Sequence, residues 1–557
     1  MHLVDEKPVH IVKEESGLIW VDFGRVAFGN LRLTGAKNAT NTITVHFGEA
    51  ATNGRINRTP PGSVRYNKVD VTLSGKSPVI AAPLPDKRKA GKDAILTPAE
   101  WGVVTPFRWI EIDGWEGELL PEQIVRQSAF AATWNDDAAA FESSSDMLNQ
   151  IWELCRYSIK ATTFAGVYVD GDRERIPYEG DAYLNQLSHY YTDDDIQMAR
   201  DTLAYLMKKG TWPTEWTSHL VFMAYADWMQ TGDKTQLMKH YEELKTKLLK
   251  DRKGSDGLIT SNDEQIKKGD LIDWPGAERD GYVFTSRNTV VNAFALRALY
   301  LMKEIALVTG KEDESAEFES EYARNLTVFN QSFFDAKTGL YKDGIETDHS
   351  SLHANLFPLA FGLVPEDRRV HLSGWLAGRG MACSVYAAQY LMEALFENGA
   401  AALAIELMMA NNDRSWRHMV ESGTTITWEA WDQKYKKNQD WNHAWGAAPA
   451  NLLPRYILGA QPLSPGWKTA LIRPNCGPLL FAKGKVPTPS GPIVIDWKKE
   501  GTFTLSVTLP EGMRARVELP VMDPTGGVYI AGAPVNALRS GDRWVLEVNE
   551  TAVIEVK

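Results

Sequence analysis

Two short stretches of this chain hold the residue types that proton transfer needs. The first, Val169-Asp-Gly-Asp-Arg-Glu-Arg-Ile-Pro-Tyr-Glu-Gly-Asp181, crowds Asp170, Asp172, Glu174, Glu179 and Asp181 together with Arg173 and Arg175. Such charge is costly to bury, so charge alone favours a solvated loop. The mixture points the other way. Gly171, Pro177, Tyr178 and Gly180 constrain the backbone, as a site requires, and interleaved arginines can hold some carboxylates ionised while another keeps its proton and acts as an acid. The second stretch is Gly423-Thr-Thr-Ile-Thr-Trp-Glu-Ala-Trp-Asp432, followed by Asp440-Trp-Asn-His-Ala-Trp445. It sets Glu429 between Trp428 and Trp431. Taken alone, His443 reads as a structural histidine. Taken together, these residues supply stacking surface, a carboxylate and a polar clamp.

Two lesser groups, Gly210-Thr-Trp-Pro-Thr-Glu-Trp216 and Asp273-Trp274, pair indoles with carboxylates between helical patterns. Loops at one end of a helical barrel are where a site collects. Trp212 is expected to serve packing. The chain carries no H-E-x-x-H, no G-x-x-x-x-G-K-[ST], no G-x-G-x-x-G after a strand and no G-x-S-x-G, which weakens metalloprotease, nucleotide-binding and serine-hydrolase readings.

The elements that must position these residues change period along the chain. Up to about residue 140 the pattern is β: Gly17–Gly24, Ile43–Gly48, Val69–Leu73 and Phe107–Gly114 alternate or are β-branched. In the last of these, alternation puts Ile110 and Ile112 on one face, with Trp109, Glu111 and Asp113 on the other. Ser77 to Lys92, rich in Pro, Gly and Lys, reads as a long surface loop. After the cap cluster Ser143–Asp146, apolar residues fall at helical spacing from Leu148 to Ile159. A helix, a Thr-Gly turn and a second helix appear around Thr231-Gly-Asp233 and again around Thr309-Gly-Lys311, which suggests stacked helical hairpins. Helices are also expected over Ala387–Asn398, Ala400–Ala410 and Ala444–Leu458. Strands return from about Pro462. A helical stretch this long without strands favours a toroid of hairpins over a simple bundle.

The bulk numbers fit that outline. A chain of 557 residues exceeds one core, and its net charge of −12 argues against a polyanionic partner such as nucleic acid. Cys155, Cys383 and Cys476 are scattered without a C-x-x-C, so neither a disulfide framework nor a zinc site is indicated. No apolar run is long enough to span a bilayer, so membrane insertion is not expected. The first residues lack an apolar signal core, which leaves a cytoplasmic protein or a periplasmic or secreted one with its signal removed. The 19 tryptophans are mainly core, with a few available to line a sugar-binding cleft.

At the motifs, the sequence resembles the α-L-rhamnosidases of glycoside hydrolase family 78. Asp170 to Asp181 is similar to that family's acidic motif, with Glu174 and Asp181 at its Glu and closing Asp. Thr424-Thr-Ile-Thr-Trp-Glu429 is similar to its Thr-Thr-x-x-Trp-Glu motif, and Asn442-His443 to its downstream Asn-His. Asp22-Phe-Gly-Arg25, Phe107-Arg-Trp-Ile-Glu-Ile and Pro465–Pro474 resemble the flanking domains. Where the family commonly has Cys-Pro-x-Arg, this chain has Asp170-Gly-Asp-Arg173, so Asp170 and Asp172 both stand for the sugar-hydroxyl role.

The resemblance implies a multidomain protein, an all-α (α/α)6 helical barrel (141–460) flanked by N- and C-terminal antiparallel β-sandwich domains (1–140 and 461–557). In a second departure, the chain is expected to be a compact member without the extra N-terminal carbohydrate-binding modules that many members carry. The resemblance also implies an inverting glycosidase that removes terminal α-L-rhamnosyl residues from glycans or glycosides, with Glu174 as general acid and Glu429 as general base. Asp170, Asp172, Asp181, Trp216, Trp274, Trp428 and His443 would bind the sugar, and no metal or organic cofactor is called for. The rival readings are another helical-barrel enzyme (a hydrolase of a different sugar, a phosphorylase or a polysaccharide lyase) and a non-catalytic carbohydrate-binding relative.

Overall fold

The computed structural model describes residues 1–87, 91 and 93–557. Two compact units divide the chain. The first comprises Met1–Trp134, Leu154–Pro177 and Met419–Gly446; the second comprises Asn135–Glu153, Tyr178–His418 and Ala447–Lys557.

The first unit is built on an eight-stranded antiparallel sheet. Its order is His2–Glu6, Ile124–Phe130, Ile19–Leu33, Thr105–Asp113, Thr42–Gly48 and Tyr66–Thr72, with His10–Lys13 and Val79–Ala81 added to the long strand Ile19–Leu33. That strand can serve so many partners because its register shifts between Asp22 and Ala27. Gly24 takes a left-handed φ of 80° there, and the Asp22 carboxylate accepts its N–H at 2.7 Å. A bulge of this kind bends the strand and lets its two halves pair differently. Alternate residues Ile19, Val21, Ile43, Val45, Phe47, Ile110 and Ile112 form one core. The expected partition of the 107–113 strand holds for Ile110 and Ile112, which are fully buried. Glu111 is buried too, accepting from the Ile56 N–H and the Arg58 guanidinium, both at 2.9 Å.

Ser77 to Lys92 is not loop throughout, because Val79–Ala81 pairs with Leu31–Leu33. Three residues are too few to display a period-2 pattern among prolines and lysines. Residues 88–90 and 92 of that stretch lie outside the described residues.

A first helix, α1 (Asp146–Ala161), begins in the second unit and ends in the first. The second unit then lays down hairpins: α2 (Glu179–Tyr190) with α3 (Gln197–Lys208), and α4 (His219–Thr231) with α5 (Thr235–Lys245). After the short α6 (Asp263–Lys268) come α7 (Thr289–Val308) with α8 (Glu312–Phe333), α9 (Leu352–Ala360) with α10 (Glu366–Arg379), and α11 (Val385–Glu397) with α12 (Ala401–Met408). A single turn, α13 (Trp416–Glu421), precedes α14 (Pro449–Leu452). Helices α2, α4, α7, α9, α11 and α14 touch one another in sequence, and α14 closes back on α2. The expected ring of helical hairpins is therefore present.

The ring is filled from the inside. Phe222, Phe294, Phe357 and Tyr390 come from four different inner helices, with ring centroids 6.0, 4.9 and 5.3 Å apart in succession. A helix that is apolar on nearly every face, as α11 is, can only be an interior one. Caps start these inner helices: Asn288, Ser351 and Ser384 each accept a backbone N–H from the first turn. Gly232 and Gly310, in left-handed conformations, end α4 and the α7 turn as the Thr-Gly pairs suggested.

Ala444–Leu458, expected as one helix, is broken into a 3-10 turn (Ala444–Gly446), α14 and a π-helical turn (Leu453–Leu458). Pro449 and Pro454 supply no N–H to an α-helical ladder, so the segment cannot run as one α-helix. The last strands form a seven-stranded and a five-stranded sheet. They are antiparallel except where Thr469–Ile472 runs parallel to Arg514–Pro520. The strand Ala140–Ser143 pairs with Phe481–Val486, so the chain visits the seven-stranded sheet before it enters α1.

Candidate active site

Residues 169–177 of the first constellation meet the second inside the first unit. Gly171 explains how they approach. Its φ is +87°, and a Cβ there would lie 2.7 Å from the Asn442 carbonyl and 2.7 Å from an Asp440 carboxylate oxygen. Only glycine lets the two loops touch. The Asp172 N–H then donates to Asn442 Oδ1 at 2.7 Å, and the Arg173 N–H to Asp440 Oδ2 at 3.3 Å.

The second loop folds back on itself in a short ladder. The His443 N–H donates to the Thr427 carbonyl at 2.9 Å, the Glu429 N–H to the Asp440 carbonyl at 3.3 Å, and the Trp445 indole to the Glu429 carbonyl at 3.1 Å. Glu429, Asp440 and His443 are thereby gathered, each buried. Trp428 stacks on Trp441 with centroids 5.1 Å apart.

Arg173 joins the two candidate catalytic glutamates. Its Nη1 donates to Glu174 Oε1 at 2.7 Å and its Nη2 to Glu429 Oε1 at 2.9 Å. One guanidinium therefore bridges an oxygen of each glutamate. Their surroundings differ sharply. The Glu174 side chain is 32% exposed, whereas that of Glu429 is 1% exposed. Burial raises the proton affinity of Glu429, and the Asp440 charge adds to this, while His443, Arg173 and Lys436 oppose it. Lys436 Nζ lies 3.4 Å from Glu429 Oε1.

The two aspartates left open by the sequence differ here. Asp172 is fully buried between two arginines. Arg175 donates to it from Nε at 3.1 Å and Nη2 at 2.7 Å, and Arg65 Nε makes a close contact from the other side. Arg175 holds a left-handed φ of 57°, fixed by Asp172, by the Val104 carbonyl and by stacking of its guanidinium over Phe164. Asp170 accepts the Ile176 N–H on Oδ1 at 2.9 Å, while its buried Oδ2 has no hydrogen-bond partner among the described residues. Burial pushes Asp170 well above the usual carboxylate range, with the Glu174 and Asp440 charges adding and His443 and Arg173 opposing.

Glu429, Asp440 and His443 present ligand atoms within 4.8 Å of one another, a spacing that could hold a cation. Arg173 and Lys436 already bring two positive charges to Glu429, and they would oppose a third. Sequence reasoning passed over Lys436, Glu49 and Arg65. Glu49 accepts from Asn442 Nδ2 at 2.7 Å and from the Arg65 N–H at 2.8 Å, and burial raises its pKa to about 8. Nothing near Glu49 in sequence marks it, since its partner lies 393 residues away.

The second unit holds the other named candidates at the entrances to the inner helices. Glu179 and Asp181 occupy the first turn of α2. Trp216 packs against Gly180, where a Cβ would fall 2.8 Å from the indole. Asp273, fully buried, accepts from His353 Nε2 at 2.6 Å and from the Ser384 and Trp274 N–H groups at 2.9 and 2.8 Å. Glu215 holds the same loop by accepting the Ile272 N–H at 2.5 Å, and burial raises its pKa to about 7. Trp212, expected in packing, is instead 51% exposed. Pro213 follows it, and Thr211 is pinned to Glu179 by its own N–H at 2.8 Å, so the loop is fixed while its indole faces solvent.

A closed ring of helical hairpins, flanked in sequence by β-sheet segments, is the architecture of a six-hairpin glycosidase domain. The chain belongs to the bacterial α-L-rhamnosidase family. The model of that family's six-hairpin glycosidase domain matches residues 136–457, its concanavalin-like domain residues 12–130 and its C-terminal domain residues 459–529. An α-L-rhamnosidase of Alteromonas sp. (strain LOR) is 26% identical over 78% of this chain and 51% of its own length. The structure of an α-L-rhamnosidase from Dictyoglumus thermophilum superposes with a TM-score of 0.81 at 18% identity, covering 99% of this chain and 63% of that one. That of Streptomyces avermitilis, complexed with L-rhamnose, gives 0.79 at 17% identity, covering 100% and 53%. The chain spans about half the length of the curated relatives it matches.

Proposed function

We propose that the protein hydrolyses terminal α-L-rhamnosyl linkages with inversion at the anomeric carbon. Glu174 gives a proton to the departing glycosidic oxygen, and Glu429 takes one from a water attacking the opposite face of the ring. The carrying observation is Arg173, whose two arms hold one oxygen of each glutamate. An inverting pair needs carboxyl groups about 6.5–9.5 Å apart so that a water fits between them and the sugar. Burial of Glu429 suits a base whose pKa must sit closer to the working pH than that of a free carboxylate.

Asp170 Oδ2 is buried without a hydrogen bond, its ion-pair contact to Arg173 Nη2 being 3.8 Å long, and a sugar hydroxyl would supply one. We assign it the hydroxyl-binding role, and give Asp172, surrounded by Arg65 and Arg175, the role of fixing the loop. Trp428 and His443 shape the pocket around Glu429. Asp181 remains a sugar-binding candidate on the motif resemblance, and Trp216 and Trp274 remain candidates as indoles beside carboxylates in loops between helices. The test is hydrolysis of a panel of aryl glycosides. The α-L-rhamnoside should be turned over faster than the β-D-glucoside, α-L-arabinoside and β-D-glucuronide. Faster turnover of another sugar by a clear margin, or a requirement for phosphate, would sink the reading.

A further inference from the structure

We propose that Lys436 is a positioning residue that holds Glu429 in its ionised, proton-accepting form. The inference rests on Glu429 acting as the base. Three lysines stand at 434, 436 and 437, and only Lys436 is turned inward, its side chain 5% exposed. Burying an ammonium is costly unless it is paired. Its Nζ lies 3.4 Å from Glu429 Oε1 and donates to Asn438 Oδ1 at 3.0 Å.

The turn that carries it is held firmly. The Gln439 N–H donates to the Lys436 carbonyl at 3.1 Å, the Ser63 N–H to the Gln439 carbonyl at 2.9 Å, and Ser63 Oγ to the Asn438 carbonyl at 2.9 Å. Gln439 Oε1 accepts the Ala430 N–H at 3.0 Å, next to Glu429 itself. An ammonium fixed in this way is not a mobile surface charge.

The charged groups around Glu429 are Asp440, His443, Arg173 and Lys436, with Glu174 and Asp170 reached through Arg173. Asp440 disfavours the ionised base, and Arg173 divides itself between both glutamates. Lys436 is the cation held against Glu429 by its own turn. Its removal therefore takes away a cation that favours the ionised base and leaves the Arg173 contact in place.

The experiment compares the pH dependence of kcat/KM on an aryl α-L-rhamnoside for the wild type, Lys436→Met, Lys436→Gln and Lys436→Arg. A base works only when ionised, so losing the cation moves the acidic limb to higher pH, by about one unit or more. Activity at a pH below the limb then falls about tenfold, with the plateau and the basic limb kept, and Lys436→Arg restores the profile. An unmoved acidic limb in both neutral variants, or an equal loss at every pH, would overturn the inference. Carboxyl-carbon NMR of the full chain, with the Glu429 signal assigned through Glu429→Gln, follows the same titration without turnover. A protein inert to rhamnosides would refute the proposed activity, yet this titration would still decide the role of Lys436.

Discussion

The Asp172 N–H donates to Asn442 Oδ1 at 2.7 Å across 270 residues of sequence. The other end of the same amide donates to Glu49 at 2.7 Å, so Asn442 acts as acceptor and donor at once between buried groups. Asn442→Ala strands both partners. Each orphaned buried group costs about 1–3 kcal/mol, and the variant should lose about 2–6 kcal/mol of unfolding free energy. Asn442→Asp keeps the acceptor but sets a carboxylate against Glu49. Urea unfolding of both variants checks this, and a midpoint unchanged in Asn442→Ala would show that the tie does not hold the loops.

Asp170 and Asp172 should fail in different ways. Asp170→Asn keeps an acceptor for the Ile176 N–H, so the fold should survive while rhamnose affinity drops about ten- to a hundredfold. Asp172→Asn leaves Arg65 and Arg175 facing each other without their shared anion, and breaking such a buried pair costs about 3–5 kcal/mol. Calorimetry with L-rhamnose and thermal melts, run on both variants, separate the two roles. Normal rhamnose affinity in Asp170→Asn would return that carboxyl to the loop's architecture.

Glu49 makes stability depend on pH in a definite direction. Burial raises its folded pKa to about 8 from an ordinary 4.5, so between those values the folded state holds a proton that the unfolded state has released. Its contribution is complete below pH 4.5 and is lost as pH rises toward 8, at about 1.4 kcal/mol per unit. Glu49→Gln cannot titrate. The gap in melting temperature between wild type and variant should therefore shift in favour of Glu49→Gln as pH is raised from 5 to 8. A gap that stays constant would mean that Glu49 is ionised in the folded protein.

These residues also mark how far the sequence could be read. The hairpins around Thr231-Gly232 and Thr309-Gly310 were legible because period, turn and cap agree over many residues. The acidic loop was legible because its charges are contiguous, and Gly171 announced a backbone constraint. Glu49 and Arg65 were not, since each is an ordinary surface-type residue until a loop 393 positions away, for Glu49, or 107 positions away, for Arg65, closes on it. Lys436 was hidden differently: in a run of lysines, nothing local says which one turns inward. The Val79–Ala81 strand escaped because three residues carry no period, and the break at Ala444–Leu458 because apolar spacing outweighed Pro449 and Pro454 in the reading.

The two glutamates give the strongest test of mechanism, because one fork holds both and their burial is unequal. With Glu174 as the acid, Glu174→Gln should be most impaired on substrates with a poor leaving group such as an alcohol, and least on an activated phenol that departs unprotonated. Glu429→Gln should be impaired on both, since water must be activated whichever group leaves. Each change should remove about 10²–10⁴-fold in rate where its proton transfer is needed. Proton NMR of the first product from an α-linked rhamnoside should show the β-anomer of rhamnose, which then mutarotates. Appearance of the α-anomer first, or a trapped glycosyl-enzyme on either glutamate, would replace inversion with a double displacement. An activity loss in Glu429→Gln confined to poor leaving groups would exchange the two roles, making the buried glutamate the acid and the exposed one the base.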